Sequence, residues 1–211
     1  VVSVSLIVLN VAVFIYEFAL GRGVREFIAQ NGLIPADVTS VGEGTGVPFR
    51  PLTLVTSLFL HGGWLHVGGN MLYLWIFGDN VEDRLGRVRF LAFYLLCGVA
   101  ASFAHVLANP ASTVPTIGAS GAIAGVLGAY FLLYPRSRVL TLVPLGFFLQ
   151  VVQLPAFLFL GFWFLMQFVV GAASLSAGAG GGGVAWWAHV GGFVAGALLQ
   201  LVFRRRGGEW A

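Results

Sequence analysis

Charge is what this sequence has least of. Only 9% of its 211 residues are Asp, Glu, Lys or Arg, against about 25% in a soluble domain. With 58% hydrophobic residues and a mean hydropathy of +0.92, that scarcity excludes an ordinary soluble fold. The chain is expected to cross a membrane several times. Lysine is absent, so every basic residue is an arginine, and the net charge is +3. In this setting the arginines set membrane orientation and do not point to nucleic acid. The single cysteine, Cys97, excludes an intrachain disulfide framework. There is no HExxH pattern and no thiolate near the histidines, so neither a metal nor any other cofactor is expected. The chain opens on Val1 instead of methionine, which leads us to expect a longer parent chain. Its first apolar run is too long for a cleaved signal peptide.

A membrane span needs about 20 apolar residues, and six are expected. They are Ser3–Leu20, Trp64–Val81, Phe90–Ala108, a short fourth at Ala119–Tyr134, a fifth within Val139–Ala173 and a sixth at Ala188–Phe203. Pro144 and Pro155 leave the start of the fifth open. The stretch Gly21–Gly63 is amphipathic and is expected to form short interfacial helices. The fold class is therefore an all-α polytopic bundle, one domain over 1–211, with a short central fourth helix. Eight arginines (Arg84, Arg87, Arg89, Arg136, Arg138, Arg204, Arg205 and Arg206) fall on one side of such a bundle. Arg22, Arg25 and Arg50 fall on the other. The positive-inside rule then puts both ends in the cytoplasm, and spans two, four and six start at the outer face.

That topology brings polar residues from three segments to one depth. His66 and Asn70 start span two, Ser120 starts span four and His189 starts span six. Intramembrane ionisable groups are costly and mark function by default. His66 and Asn70 are i,i+4 and share a helix face. Gly121 and Gly125 on span four, and Gly192 and Gly196 on span six, are small-xxx-small pairs that let two backbones close on each other. Ser120 and His189 thereby come within reach, as nucleophile and general base. The Ser120 backbone N–H, His66 and Asn70 can supply oxyanion donors. No acid is placed to orient the base. Asp79, Glu82 and Asp83 lie at the far side, and no spacing ties Glu17 to His189, so a Ser–His dyad is favoured over a triad. Taken singly, each residue has a duller reading. Ser120 fits a packing serine, His189 an interfacial histidine, and His66 with Asn70 a structural hydrogen bond.

These residues resemble the rhomboid intramembrane serine proteases along essentially the whole chain. "HGGWLHVGGN" is similar to the family's second-helix motif through His66 and Asn70. "GASG", Gly118 to Gly121, matches the nucleophile motif, and "AHVGGFVAG" the motif of the sixth helix. "GDNVEDRLG" matches ExRxG through Glu82, Arg84 and Gly86, and His61 matches an upstream structural histidine. Two positions depart. Leu52 and Thr53 stand where many members have a Trp-Arg pair, and Ala124 stands where some have a tyrosine that stacks on the base. Support for His189 is then expected from Trp186 or Trp187. The resemblance implies hydrolysis of peptide bonds in or near transmembrane helices of membrane-protein substrates. The expected site is a bacterial inner membrane, with the lipid bilayer as the other partner. A catalytically inactive, client-binding relative is the alternative, and a small transporter a more distant one. The stretch Ser174–Gly183 and the outer end of span five, Phe164–Phe168, are expected to form the lid and lateral gate.

Overall fold

The computed structural model describes residues 1–40, 49–145, 148–176 and 184–204. Helices dominate, and the longest follow the apolar runs. α1 is Val2–Ala19, and three short helices follow in the first loop: α2, Val24–Asn31; α3, Pro35–Thr39; and α4, Thr53–Thr56. α5 is Trp64–Leu85, α6 Arg87–Ala108, α7 Ser120–Leu133, α8 Ala156–Ser176 and α9 Trp186–Phe203. Four of these, α1, α6, α8 and α9, are long and apolar enough to cross a membrane. Two of the six expected spans do not meet that standard. α5 carries Asp79, Glu82, Asp83 and Arg84 in its last turns, and α7 has only 14 residues. At 1.5 Å per residue α7 is about 21 Å long, short of a hydrocarbon core of about 30 Å.

The all-α expectation is corrected by a hairpin. Arg138–Leu145 (β1) pairs antiparallel with Phe148–Pro155 (β2). The apolar stretch before Pro155 therefore does not belong to the fifth span, which starts at Ala156. Proline has no N–H and ends a helix that tries to run through it. In a two-stranded ribbon each strand has one open edge, where Pro144 is tolerated. Most of the glycine-rich stretch expected to form the lid, 177–183, lies outside the described residues, as do Arg205 and Arg206.

α7 is the hub. Every residue from Gly121 to Tyr130 is buried, and α5, α6, α8 and α9 all pack on it. A helix apolar on all sides suits such a position. Leu9, Ile15, Leu96, Phe162, Leu165 and Leu198 lie exposed on the outer helices, where lipid replaces water as solvent.

The glycines set the spacing. A Cβ on Gly192 would lie 2.1 Å from the Gly121 carbonyl oxygen, and one on Gly196 1.9 Å from that of Gly125. The α9 glycines thus meet α7 backbone, as the spacing predicts. Gly121 and Gly125 also admit a third helix. A Cβ there would strike Ala101 and Cys97 of α6, at 2.6 and 2.4 Å. At these two positions α7 turns its missing side chains to α6 and its carbonyls to α9, whereas a Cβ on Gly128 would meet the Phe193 carbonyl of α9.

α1 is tied at both ends. Near its start, Glu82 accepts hydrogen bonds from the Val2 and Ser3 N–H groups, both 2.8 Å, and from Ser3 Oγ at 2.7 Å. These satisfy first-turn donors that have no partner within the helix. Near its other end, buried Glu17 accepts the His61 N–H at 3.1 Å. Glu82 precedes Gly86, whose φ of +85° forms the turn into α6, a conformation that glycine adopts without strain. Arg84 lies half-buried in the last turn of α5.

Candidate active site

The segment before α7 is fixed by the first loop. Leu33 and Thr116 exchange backbone hydrogen bonds of 3.1 and 2.7 Å, and Gly118 N–H donates to the Ser57 carbonyl at 2.9 Å. Gly118 has φ +123°, and a Cβ there would sit 2.7 Å from His66 Nε2. Glycine is required both for the backbone and for the approach of the imidazole. Ser120 then begins α7, so its N–H has no acceptor within that helix.

Ser120 Oγ and His189 Nε2 are 2.8 Å apart. The close backbone seam of α7 and α9 sets that distance. The opposite nitrogen, Nδ1, is 2.7 Å from Gln167 Oε1 on α8. An amide oxygen only accepts, so Nδ1 carries the proton and Nε2 presents its lone pair to the Ser120 hydroxyl. Trp163 lies beside the imidazole with ring centroids 5.8 Å apart, and Trp186 meets it edge-on at 6.3 Å. Trp187 instead donates its indole N–H to the Gly171 carbonyl at 3.2 Å. The polar contact to His189 thus comes from Gln167, not from the tryptophans expected in that place. The sequence held one signal for it. Gln167 is the sole amide in an otherwise apolar run, Ala156–Ala173.

His66 stands across Gly118 from Ser120. Its Nδ1 accepts the Gly62 N–H at 3.2 Å, so its proton sits on Nε2, the nitrogen nearest Gly118. The atom that would be the Gly118 Cβ lies 3.7 Å from Ser120 Oγ, so donor and hydroxyl border the same small space. Asn70, one turn along α5, is buried, and its amide nitrogen has no partner among the described residues. It is a donor without an acceptor, as an oxyanion site requires before substrate arrives. His61 supports His66. The two rings are 5.1 Å apart, and His61 is wedged against Phe14 of α1. Burial, with the neighbouring His66, pushes the His61 imidazole down to about 4, which keeps it neutral.

A neutral imidazole on a hydroxyl, with donors opposite, is equipped for nucleophilic acyl transfer. A family model for the rhomboid domain matches residues 48–206. The chain is similar to Rhomboid protein 1, mitochondrial, of Saccharomyces cerevisiae, 36% identical over 96 residues, which are 44% of this chain and 28% of that protein. It is 34% identical over 148 residues to the rhomboid protease GluP of Bacillus subtilis, covering 70% of this chain and 26% of that one. It is 35% identical over 88 residues to the human presenilin-associated rhomboid-like protein, mitochondrial, covering 41% and 23%. The matched segments thus span about a quarter of the length of each of these relatives.

Proposed function

The chain belongs to the rhomboid family, and from that premise we propose that it is an intramembrane serine protease acting on the transmembrane segments of other membrane proteins. The 2.8 Å contact between Ser120 Oγ and His189 Nε2 carries this reading. Ser120 attacks the scissile carbonyl while His189 Nε2 takes its proton. The oxyanion that forms is held by the Ser120 N–H, His66 Nε2–H and Asn70 Nδ2–H. The imidazolium then gives its proton to the leaving amine, and an acyl-enzyme remains. Water, deprotonated by His189, hydrolyses it and restores the serine. A substrate helix hides its carbonyls in internal hydrogen bonds, so the segment must unwind before attack.

We further infer six crossings in one domain, with α5 and the short α7 completing the set. Both chain ends are then on the arginine-rich side, in the cytoplasm, and the dyad opens to the outer face of a bacterial plasma membrane. α7 need not cover the full bilayer, because Gly121 to Tyr130 are all enclosed by protein. The inactive, client-binding alternative has less support, since a relative without chemistry has no need of a serine–imidazole contact.

Fluorophosphonate labelling with cleavage of a transmembrane reporter tests the reading. Wild type is expected to label and to cleave. Ser120→Ala and His189→Ala are expected to do neither while remaining folded, and chelators are expected to change nothing. Cleavage by purified Ser120→Ala at a substantial rate would falsify it.

A further inference from the structure

Beside the serine and the base, the geometry points to a third member of the site. We propose that Gln167 is the positioning residue of His189, fixing the tautomer of the base from α8 and making it competent only while α8 is packed against α9. This rests on the reading of Ser120 and His189 given above and deepens it.

A neutral imidazole has one proton for two nitrogens, and only the form protonated at Nδ1 can accept a proton from Ser120 at Nε2. Left without an acceptor at Nδ1, the ring divides between tautomers and turns more freely about its side-chain bonds. The Gln167 oxygen at 2.7 Å removes both freedoms. Its own side chain is buried at 8% exposure. Trp163, one turn earlier on the same face of α8, packs beside the same imidazole. Phe164 packs against Phe193, rings tilted at 32° with centroids 4.7 Å apart, seating that face of α8 on α9.

A neutral amide is also the acceptor suited to this depth. An ionised carboxylate would be taken out of water with no cation beside it, at a cost that its attraction to a transient imidazolium does not offset. The amide dipole orients the neutral ring without that penalty. The consequence is geometric. Ser120 and His189 sit on α7 and α9, whose backbones are in contact, whereas Gln167 sits on a helix joined to α9 chiefly through aromatic side chains. Displacement of α8 leaves the serine–imidazole distance intact and releases the tautomer.

Labelling by a small soluble fluorophosphonate reads the base directly, because the probe needs no substrate helix to enter. Gln167→Leu removes the acceptor, and Gln167→Asn withdraws it by about 1.5 Å, one methylene. Both are expected to label about 10–100-fold more slowly at an unchanged melting temperature. Gln167→Glu, which as its neutral acid keeps an accepting carbonyl oxygen, is expected to recover to within about threefold of wild type. Nitrogen-15 NMR of the imidazoles supplies a readout that packing alone does not move. His189 is expected to be protonated at Nδ1 in the wild type and divided between the two nitrogens in Gln167→Asn. The proposal is overturned if folded Gln167→Asn labels at the wild-type rate, or if its His189 stays wholly protonated at Nδ1. Labelling of Ser120→Ala would instead overturn the nucleophile assignment and leave the tautomer measurement standing by itself.

Discussion

Gly192→Ala adds one methyl group, and the structure says where it goes. The new Cβ would lie 2.1 Å from the Gly121 carbonyl oxygen and 3.0 Å from its carbon. Ordinary contact begins near 3.4 Å, so α9 must retreat from α7 by about 1.3 Å. Backbone sits on both sides of this contact, so no side chain can swing aside. His189 is three residues away, about 4.5 Å along the axis, and moves with the helix. The 2.8 Å contact to Ser120 then opens to nearly 4 Å, beyond the reach of proton transfer. A misplacement of about 1 Å costs about 100-fold. The expected result is a fall of at least that size in both fluorophosphonate labelling and reporter cleavage. Alanine favours helix over glycine by about 1 kcal/mol, and overpacking costs about 1–3 kcal/mol. The variant is therefore expected to fold, with a melting temperature lowered by a few degrees. Gly161→Ala is the control. Its Cβ would meet only Phe131, at 3.7 Å, and its rate is expected to match wild type. If Gly192→Ala kept more than a third of wild-type activity, the seam between α7 and α9 would not be what sets the dyad distance.

His66→Ala and Asn70→Ala are each expected to lower kcat by about 10²–10³ with little change in KM, because oxyanion donors act in the transition state; a raised KM at unchanged kcat would remove that role. Phe168→Ala loosens the contact of α8 with Trp187, whose rings are 6.0 Å apart. With Gln167 and Trp163 still against His189, it should raise the cleavage rate of a membrane substrate or leave it unchanged, and a marked fall at unchanged fluorophosphonate labelling would argue against entry beside α8. His61 binds a proton less readily when folded, at about 4 against an ordinary 6.5. The stability this gives is present above pH 6.5 and is lost as pH drops toward 4, by roughly 2–3 kcal/mol. The stability gap between wild type and His61→Gln should therefore narrow over that range, and a constant gap would show that His61 does not titrate there.

The parts that could be read from sequence are those in which one physical signal dominates. Apolar length gave α1, α6 and α9 to within a few residues, and the His66–Asn70 spacing gave a shared face of α5. Two failures have a common cause. Val139–Pro155 is an uncharged apolar run, and such a run looks alike as strand or as helix. Counting it toward the fifth span left the register of that span unfixed, so Gln167 had no assigned depth. A search for an acid to orient His189 also passes over a neutral amide. The seam of α7 and α9 at Gly121 and Gly125 follows from the small-xxx-small spacing, but their further contact with α6 does not, because that spacing shows that a helix can approach a neighbour and not how many.

The two tethers of α1 also bear on biosynthesis. Ser3 is bonded to Glu82 and Glu17 to the His61 N–H, so each partner leaves the ribosome long after α1 does. At about 5–20 residues per second, Glu82 follows Ser3 by about 4–16 s. Through that interval α1 sits in the bilayer with Ser3, Asn10 and Glu17, all buried in the finished fold, awaiting α5. Nascent chains halted before and after Glu82 has cleared the exit tunnel are expected to differ in one respect. A crosslink between α1 and α5 should form only in the longer ones, and its presence in the shorter would show that α1 docks without its carboxylate partner.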